Sequence, residues 1–161
     1  MSRQALIFAL CGLAVVAALL SGTLFVTRKN HLELAGKVTS VRTLALDENS
    51  SLLIADFRVE NPSDVQFVVK DITAKVTSPD GSQPEGNYVA DRDAQRILDY
   101  YSTQIGSRQH PTMMVRDKIN PHQNLDRMVA VRFDVPEAVL KGRKSVEVDL
   151  KDVDGTEAVL K

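Results

Sequence analysis

Three histidines, a single cysteine and a short run of aspartates are the residues of this 161-residue chain best suited to acid–base, nucleophilic or metal chemistry. A histidine changes charge near neutral pH and ligates metals through either ring nitrogen. His31, His110 and His122 are far apart in sequence, and none has the H-x-x-x-H spacing that puts two imidazoles on one helix face. They read as solvated loop residues, although a site assembled from distant loops leaves no mark in spacing. Cys11 is the only thiol, so the chain has no intramolecular disulfide, and the segment after it has no thiolate metal site. Asp91, Asp93 and Asp99 alternate with Arg92 and Arg96, which suggests either a carboxylate pair or a cation site. A calcium loop needs glycine at its sixth position, and none stands there. These carboxylates fit better as charges complementing a helix N-terminus, with intrahelical ion pairs. No G-x-S-x-G elbow or phosphate-binding glycine loop occurs, and Gly106-Ser107-Arg108 reads as a turn. No catalytic, metal or cofactor-binding residue is therefore expected, and no cofactor. The alternative is an enzyme with loop-borne groups around Asp91 to Asp99 and His110 or His122.

Composition narrows the partners. After Lys29 there are 17 basic residues against 21 acidic ones, a net charge of −4. That balance argues against phosphate-driven nucleic-acid binding, and the absence of tryptophan argues against base-stacking platforms. Lys141-Gly142-Arg143-Lys144 is the densest basic patch, either a solvated loop or a contact for anionic lipid.

The elements that would position these residues begin with an anchor. Ala5 to Val26 carries no charge, and as a helix it would be about 33 Å long, enough for a hydrocarbon core of about 30 Å. It is longer than a signal-peptide core, and Leu19 and Leu20 stand where a cleavage site needs a small residue. An uncleaved transmembrane helix is expected, with residues 1–4 as its flank and 27–31 as a short linker to a domain over 32–161. Arg28 and Lys29 outnumber Arg3, which favours a cytoplasmic domain by charge counting. The layout of one anchor before a compact β domain favours the extracytoplasmic side, and the domain is expected there. Ala14, Ala18 and Gly22 form a small-residue stripe on which two such helices could pair as a homodimer.

The domain reads as strands separated by turns. Leu53, Ala55, Phe57 and Val59 alternate with Ile54, Asp56, Arg58 and Glu60, a period of two with one wet face. Asn61-Pro62-Ser63 stops that strand. Ile72 to Val76, Val129 to Val135 and Val146 to Lys151 repeat the pattern, with turns at Asp80-Gly81 and Asp154-Gly155. Further strands are expected over Val38 to Leu46 and Thr156 to Leu160, and a weaker one over Met113 to Ile119. Asp91 can cap a helix that carries Ala94, Ile97, Leu98, Tyr101 and Ile105 on one face. Pro136 to Lys141 reads as one or two helical turns before Gly142. The expected fold is mostly β, an immunoglobulin- or fibronectin-III-like antiparallel sandwich with one inserted helix.

The run Ala55-Asp56-Phe57-Arg58-Val59-Glu60-Asn61-Pro62-Ser63, followed by Ile72, Val76 and Asp80-Gly81, resembles the strand–turn–strand core of water-stress and hypersensitive-response domains. Those belong with group-2 late-embryogenesis-abundant proteins. The same stretch is similar to bacterial membrane-anchored FxLYD-like domains. Over Val38 to Gly86, either resemblance implies an immunoglobulin-like sandwich without an active site, often outside the cytoplasmic membrane or linked to stress tolerance. The helix from Asp91 has no counterpart in either.

The segment 84–122 is longer than an ordinary hairpin connection, and long excursions of that kind are usually functional. Its Tyr88, Tyr100, Tyr101, Met113 and Met114 are a possible interaction surface. The plainer alternative is a helix capping an open end of the sandwich. The expected function is a membrane-anchored, non-enzymatic envelope module with a protein partner, the alternative being a water-stress-type protective protein.

Overall fold

The computed structural model describes residues 34–161. The anchor expected over residues 5–26 and its Ala14, Ala18, Gly22 stripe lie outside the described residues. Within them, no helix is long and apolar enough to cross a membrane.

Alternating apolar side chains make β2 (Ser51–Glu60) the centre of a three-stranded leaf. It pairs antiparallel with β1 (Ala35–Ala45) on one side and β6 (Asn124–Phe133) on the other. A second leaf joins β3 (Phe67–Thr77), β7 (Ser145–Asp152) and β8 (Glu157–Leu160), all antiparallel. The short β4 (Glu85–Tyr88) pairs with both β6 and β3, so the leaves form one hydrogen-bonded path, β1-β2-β6-β4-β3-β7-β8. At its ends the Val38 N–H donates to the Lys161 carbonyl at 3.0 Å, bringing the first strand against the last. The fold is thus mostly β and antiparallel, as the alternation predicts.

Inward positions of both leaves meet in one core that includes Leu53, Phe57, Phe67, Ile72, Val131, Phe133 and Leu150. Fully burying a side chain of this size contributes roughly 1.5–3 kcal/mol. The layers are close enough that a Cβ on Gly86 would lie 2.7 Å from the Phe133 ring and would also strike Val131.

The expected wet face of β2 is only half wet. Arg58 and Glu60 are exposed, but Ile54 and Asp56 are completely buried, as is Ala130 beside them on β6. The reason is a helical layer over this outer face, formed by α1 (Asp91–Tyr100) and the short α2 (Ser102–Ile105). The helix therefore covers a sheet face and does not close an end of the sandwich.

The long excursion is also partly sheet. Its Thr112 bridges Met128 in parallel, and the Met113 N–H donates to the Met128 carbonyl at 2.8 Å. Val69 exchanges main-chain hydrogen bonds with Arg116 and Asp117, and β5 (Lys118–Ile119) pairs with Phe67 and Val68 of β3. Residues 112–119 thus fill the gap between β6 and β3 where β4 does not reach. The strand expected from Met113 to Ile119 shortens to the two residues of β5.

The turns follow their chemistry. Gly81 (φ 88°) and Gly155 (φ 90°) take the left-handed conformation that the Asp-Gly pairs predict. α3 (Glu137–Lys141) starts after Pro136 and ends at Gly142, as expected.

Candidate functional site

α1 is seated by spacing. Ala94 and Leu98, one turn apart, join Ile105 in a second apolar cluster with Leu44, Leu52, Ile54, Met128 and Ala130. The cap differs from expectation: Ala90 holds the N-cap position without a side-chain hydrogen bond, and Asp91 is the first helical residue. Asp93 pairs with Arg96 at 3.6 Å, an intrahelical contact of the kind the sequence suggests. Asp91 instead pairs outside the helix, with Arg108 at 2.8 Å.

Beside this apolar seat lies a polar network around Asp56, whose side chain is fully buried. Arg42 stands opposite Ile54 on β1 and reaches diagonally to Asp56, its Nη2 donating to Oδ2 at 3.1 Å. The other Asp56 oxygen is 3.1 Å from Nδ1 of His110. Arg42 Nη1 also donates to the carbonyls of Ile105 and Ser107 at 3.0 and 2.9 Å. Arg108 continues the network, donating to Asp91, Gln95, Thr112 and the His110 carbonyl. A carboxylate without solvent is tolerated only when paired and hydrogen-bonded. Here its partners come from β1 and from the loop after α2, so the charge ties the excursion to the sheet.

This corrects the reading of His110 as a solvated loop residue and of Gly106-Ser107-Arg108 as only a turn. The sequence does contain a signal: Asp56 shares its strand face with Ile54, two residues away, inside an otherwise apolar run. The contact with Asp56 orients the imidazole, with Nδ1 facing the carboxylate and Nε2 the ring nitrogen left for other contacts. Arg42 neutralises the same carboxylate, which suits a structural clamp. His122 remains on the surface, 3.0 Å from the exposed Asp64. Among the described residues, no three His, Cys, Asp or Glu side chains gather as a metal site.

Arg58 grips Asp126 through Nε and Nη2 at 2.8 and 2.9 Å, and this hydrogen bonding holds the Asp126 carboxyl below its ordinary range. Burial pushes the Tyr88 hydroxyl up, so it stays protonated and donates to the Met113 carbonyl at 3.1 Å.

The five proposed surface residues fall in two places. Tyr100 and Tyr101 make an edge-to-face pair with ring centroids 4.7 Å apart. Tyr101 packs against the apolar cluster, whereas Tyr100 is 80% exposed. Tyr88 is half-buried, and its hydroxyl bonds Met113, which lies in the main core. Met114 is exposed, next to exposed Val115.

Asn61 at the Asn-Pro-Ser turn is completely buried. Its amide donates to the Val65 and Ile119 carbonyls, and its Oδ1 accepts from the Ser63 N–H and hydroxyl. Every polar atom of that side chain thus serves the turn.

No protein-family model and no curated protein matches the chain. Among solved structures, it is similar to an uncharacterized β-sandwich protein from Clostridium difficile 630, at 12% identity and a TM-score of 0.39, over 80% of this chain and 84% of that one.

Proposed function

We propose that the chain is a membrane-tethered, non-enzymatic interaction module of the cell envelope, with an immunoglobulin-like β domain on the extracytoplasmic side. Its partner is a protein that docks on the outer face of α1. The tether is the apolar run from Ala5 to Val26. The observation that carries the reading is the contrast at α1 between a clamped base and an exposed Tyr100. The base is fixed by Leu98 and by Arg108, which donates to Asp91 and Gln95, while Tyr100 projects 80% exposed from the same helix. A rigid aromatic on a fixed platform binds with little loss of conformational freedom, which suits an interface anchor. The ion pairing around His110 serves the platform, and no reaction is assigned to it.

The test is a full-length chain carrying a photo-cross-linking residue in place of Tyr100 and a topology reporter at its C-terminus. One discrete cross-linked protein, with the reporter outside the membrane, is the expected result. A diffuse smear that is identical at an unrelated exposed position such as Val153 would overturn the docking surface. A reporter active in the cytoplasm would overturn the compartment.

A further inference from the structure

The hydrogen-bonded path of strands is held at its two ends by one main-chain bond, from Val38 to Lys161. Beyond it, β8 ends at Leu160 opposite Val148, so Ser145 to Glu147 of β7 have no strand on that side among the described residues. The outer side of β1 past Val38 has no strand partner there either; a bulge between Val38 and Ser40 bends it, and further along the Thr43 hydroxyl donates to Glu137 of α3 at 3.0 Å. The seam between these two edges is a groove of about 400 Å³. Val38, Val41 and Val146 provide its apolar lining, and Lys141, Arg143, Lys144 and Lys161 its cations.

The charges there are unequal. Lys141 and Lys161 are each paired at 2.9 Å, with Glu137 and Glu147. Arg143 has no carboxylate within 4 Å among the described residues, and it donates to the Leu140 carbonyl at 2.8 Å and distantly, at 3.5 Å, to that of Val41. The Lys144 ammonium likewise has no ion pair within 4 Å there, although its field reaches Asp80. Two cations without carboxylate partners thus flank a strand edge whose Val41 carbonyl has only a long contact.

We propose that this seam takes an extended, acidic segment of a partner polypeptide, laid along β1 between Val41 and Val146. An extended backbone supplies the main-chain partners that a strand edge lacks. Alternation places every second side chain over the valines and the others toward the cations, where glutamate or aspartate fits. An anionic lipid headgroup would answer the charges but leave the edge unpaired. The surface is separate from Tyr100 and stands independently of the docking reading above.

The test uses the full chain in neutral detergent and three fluorescent octapeptides: alternating Glu–Val, alternating Lys–Val, and Glu–Val with alternate backbone nitrogens methylated. The Glu–Val peptide should bind and the Lys–Val peptide should not, and methylation should weaken binding at least about tenfold because main-chain hydrogen bonds are lost. Arg143→Gln and Lys144→Gln should each weaken it roughly threefold, and Tyr100→Ala should leave it unchanged. Lys144→Gln keeps the main-chain bond from residue 144 to the Thr77 carbonyl, so it tests charge without disturbing that connection. Equal binding of the methylated peptide, or indifference to Lys144→Gln, overturns the proposal. Failure of every peptide alongside binding of phosphatidylglycerol vesicles overturns it in favour of a lipid headgroup.

Discussion

Arg42 and Asp56 meet at 3.1 Å across neighbouring strands, and Arg42 also holds the carbonyls of Ile105 and Ser107. The pair therefore connects the first two strands to the end of the helical excursion. Its strength depends on both partners remaining, because either charge left alone is costly in a buried site.

Asp56→Ala is expected to destabilise the fold by about 3 kcal/mol, the range for breaking a buried ion pair. His110→Ala should cost about 1 kcal/mol, since Arg42 still covers the carboxylate. Denaturant unfolding measures both. Hydrogen exchange should show residues 106–112 opening in Asp56→Ala.

Leu98→Ala removes the largest buried side chain of α1 from a site with 2% exposure. A cost of about 3 kcal/mol is expected, as for other core leucines. A change below about 0.5 kcal/mol, the usual size for surface substitutions, would mean that the helix does not pack on β2 and β6.

Asn61→Ala removes one hydrogen bond each from the Ile119 carbonyl, the Val65 carbonyl and the Ser63 N–H, and leaves the Val65 carbonyl its contact with the Ser63 hydroxyl. About 2 kcal/mol should be lost. Asn61→Asp should also be destabilising, because an ionised carboxylate cannot donate to the two carbonyls. Thermal unfolding of the three proteins gives the order.

Hydrogen bonding to Arg58 lowers the Asp126 carboxyl in the folded state. Its stabilising contribution is therefore fully present above the ordinary carboxylate range and is lost as pH falls through the lowered folded value. Arg58→Gln should raise the Asp126 titration toward the ordinary range, as followed by carboxyl NMR. It should also reduce the difference in thermal stability between neutral and acidic solution.

Gly86→Ala should destabilise by about 2 kcal/mol, the cost of overpacking a core without room for a methyl group. The new Cβ would crowd the Phe133 ring at 2.7 Å and also meet Val131. Pairing it with Phe133→Leu should recover part of the loss, which calorimetry can read.

The β character was legible in the sequence because a strand writes its two faces into alternate residues. Leu53, Phe57, Val131 and Leu150 all point inward as their period predicts, and the two Asp-Gly pairs turn where their backbone permits it. Helix α1 was legible too, since Ala94 and Leu98 recur at a helical interval. These are local matters, decided by neighbours within a few residues.

Tertiary structure alone decided what covers the outer face of β2. Whether Ile54 and Asp56 meet water depends on a helix some forty positions later, and alternation contains no information about that distance. The same holds for His110, whose partner is 54 positions away, and for Met113, which enters the core because residues 112–119 fill the gap that short β4 leaves. Local chemistry determined where the chain extends, coils and turns; long-range packing determined which of its charged groups are buried together.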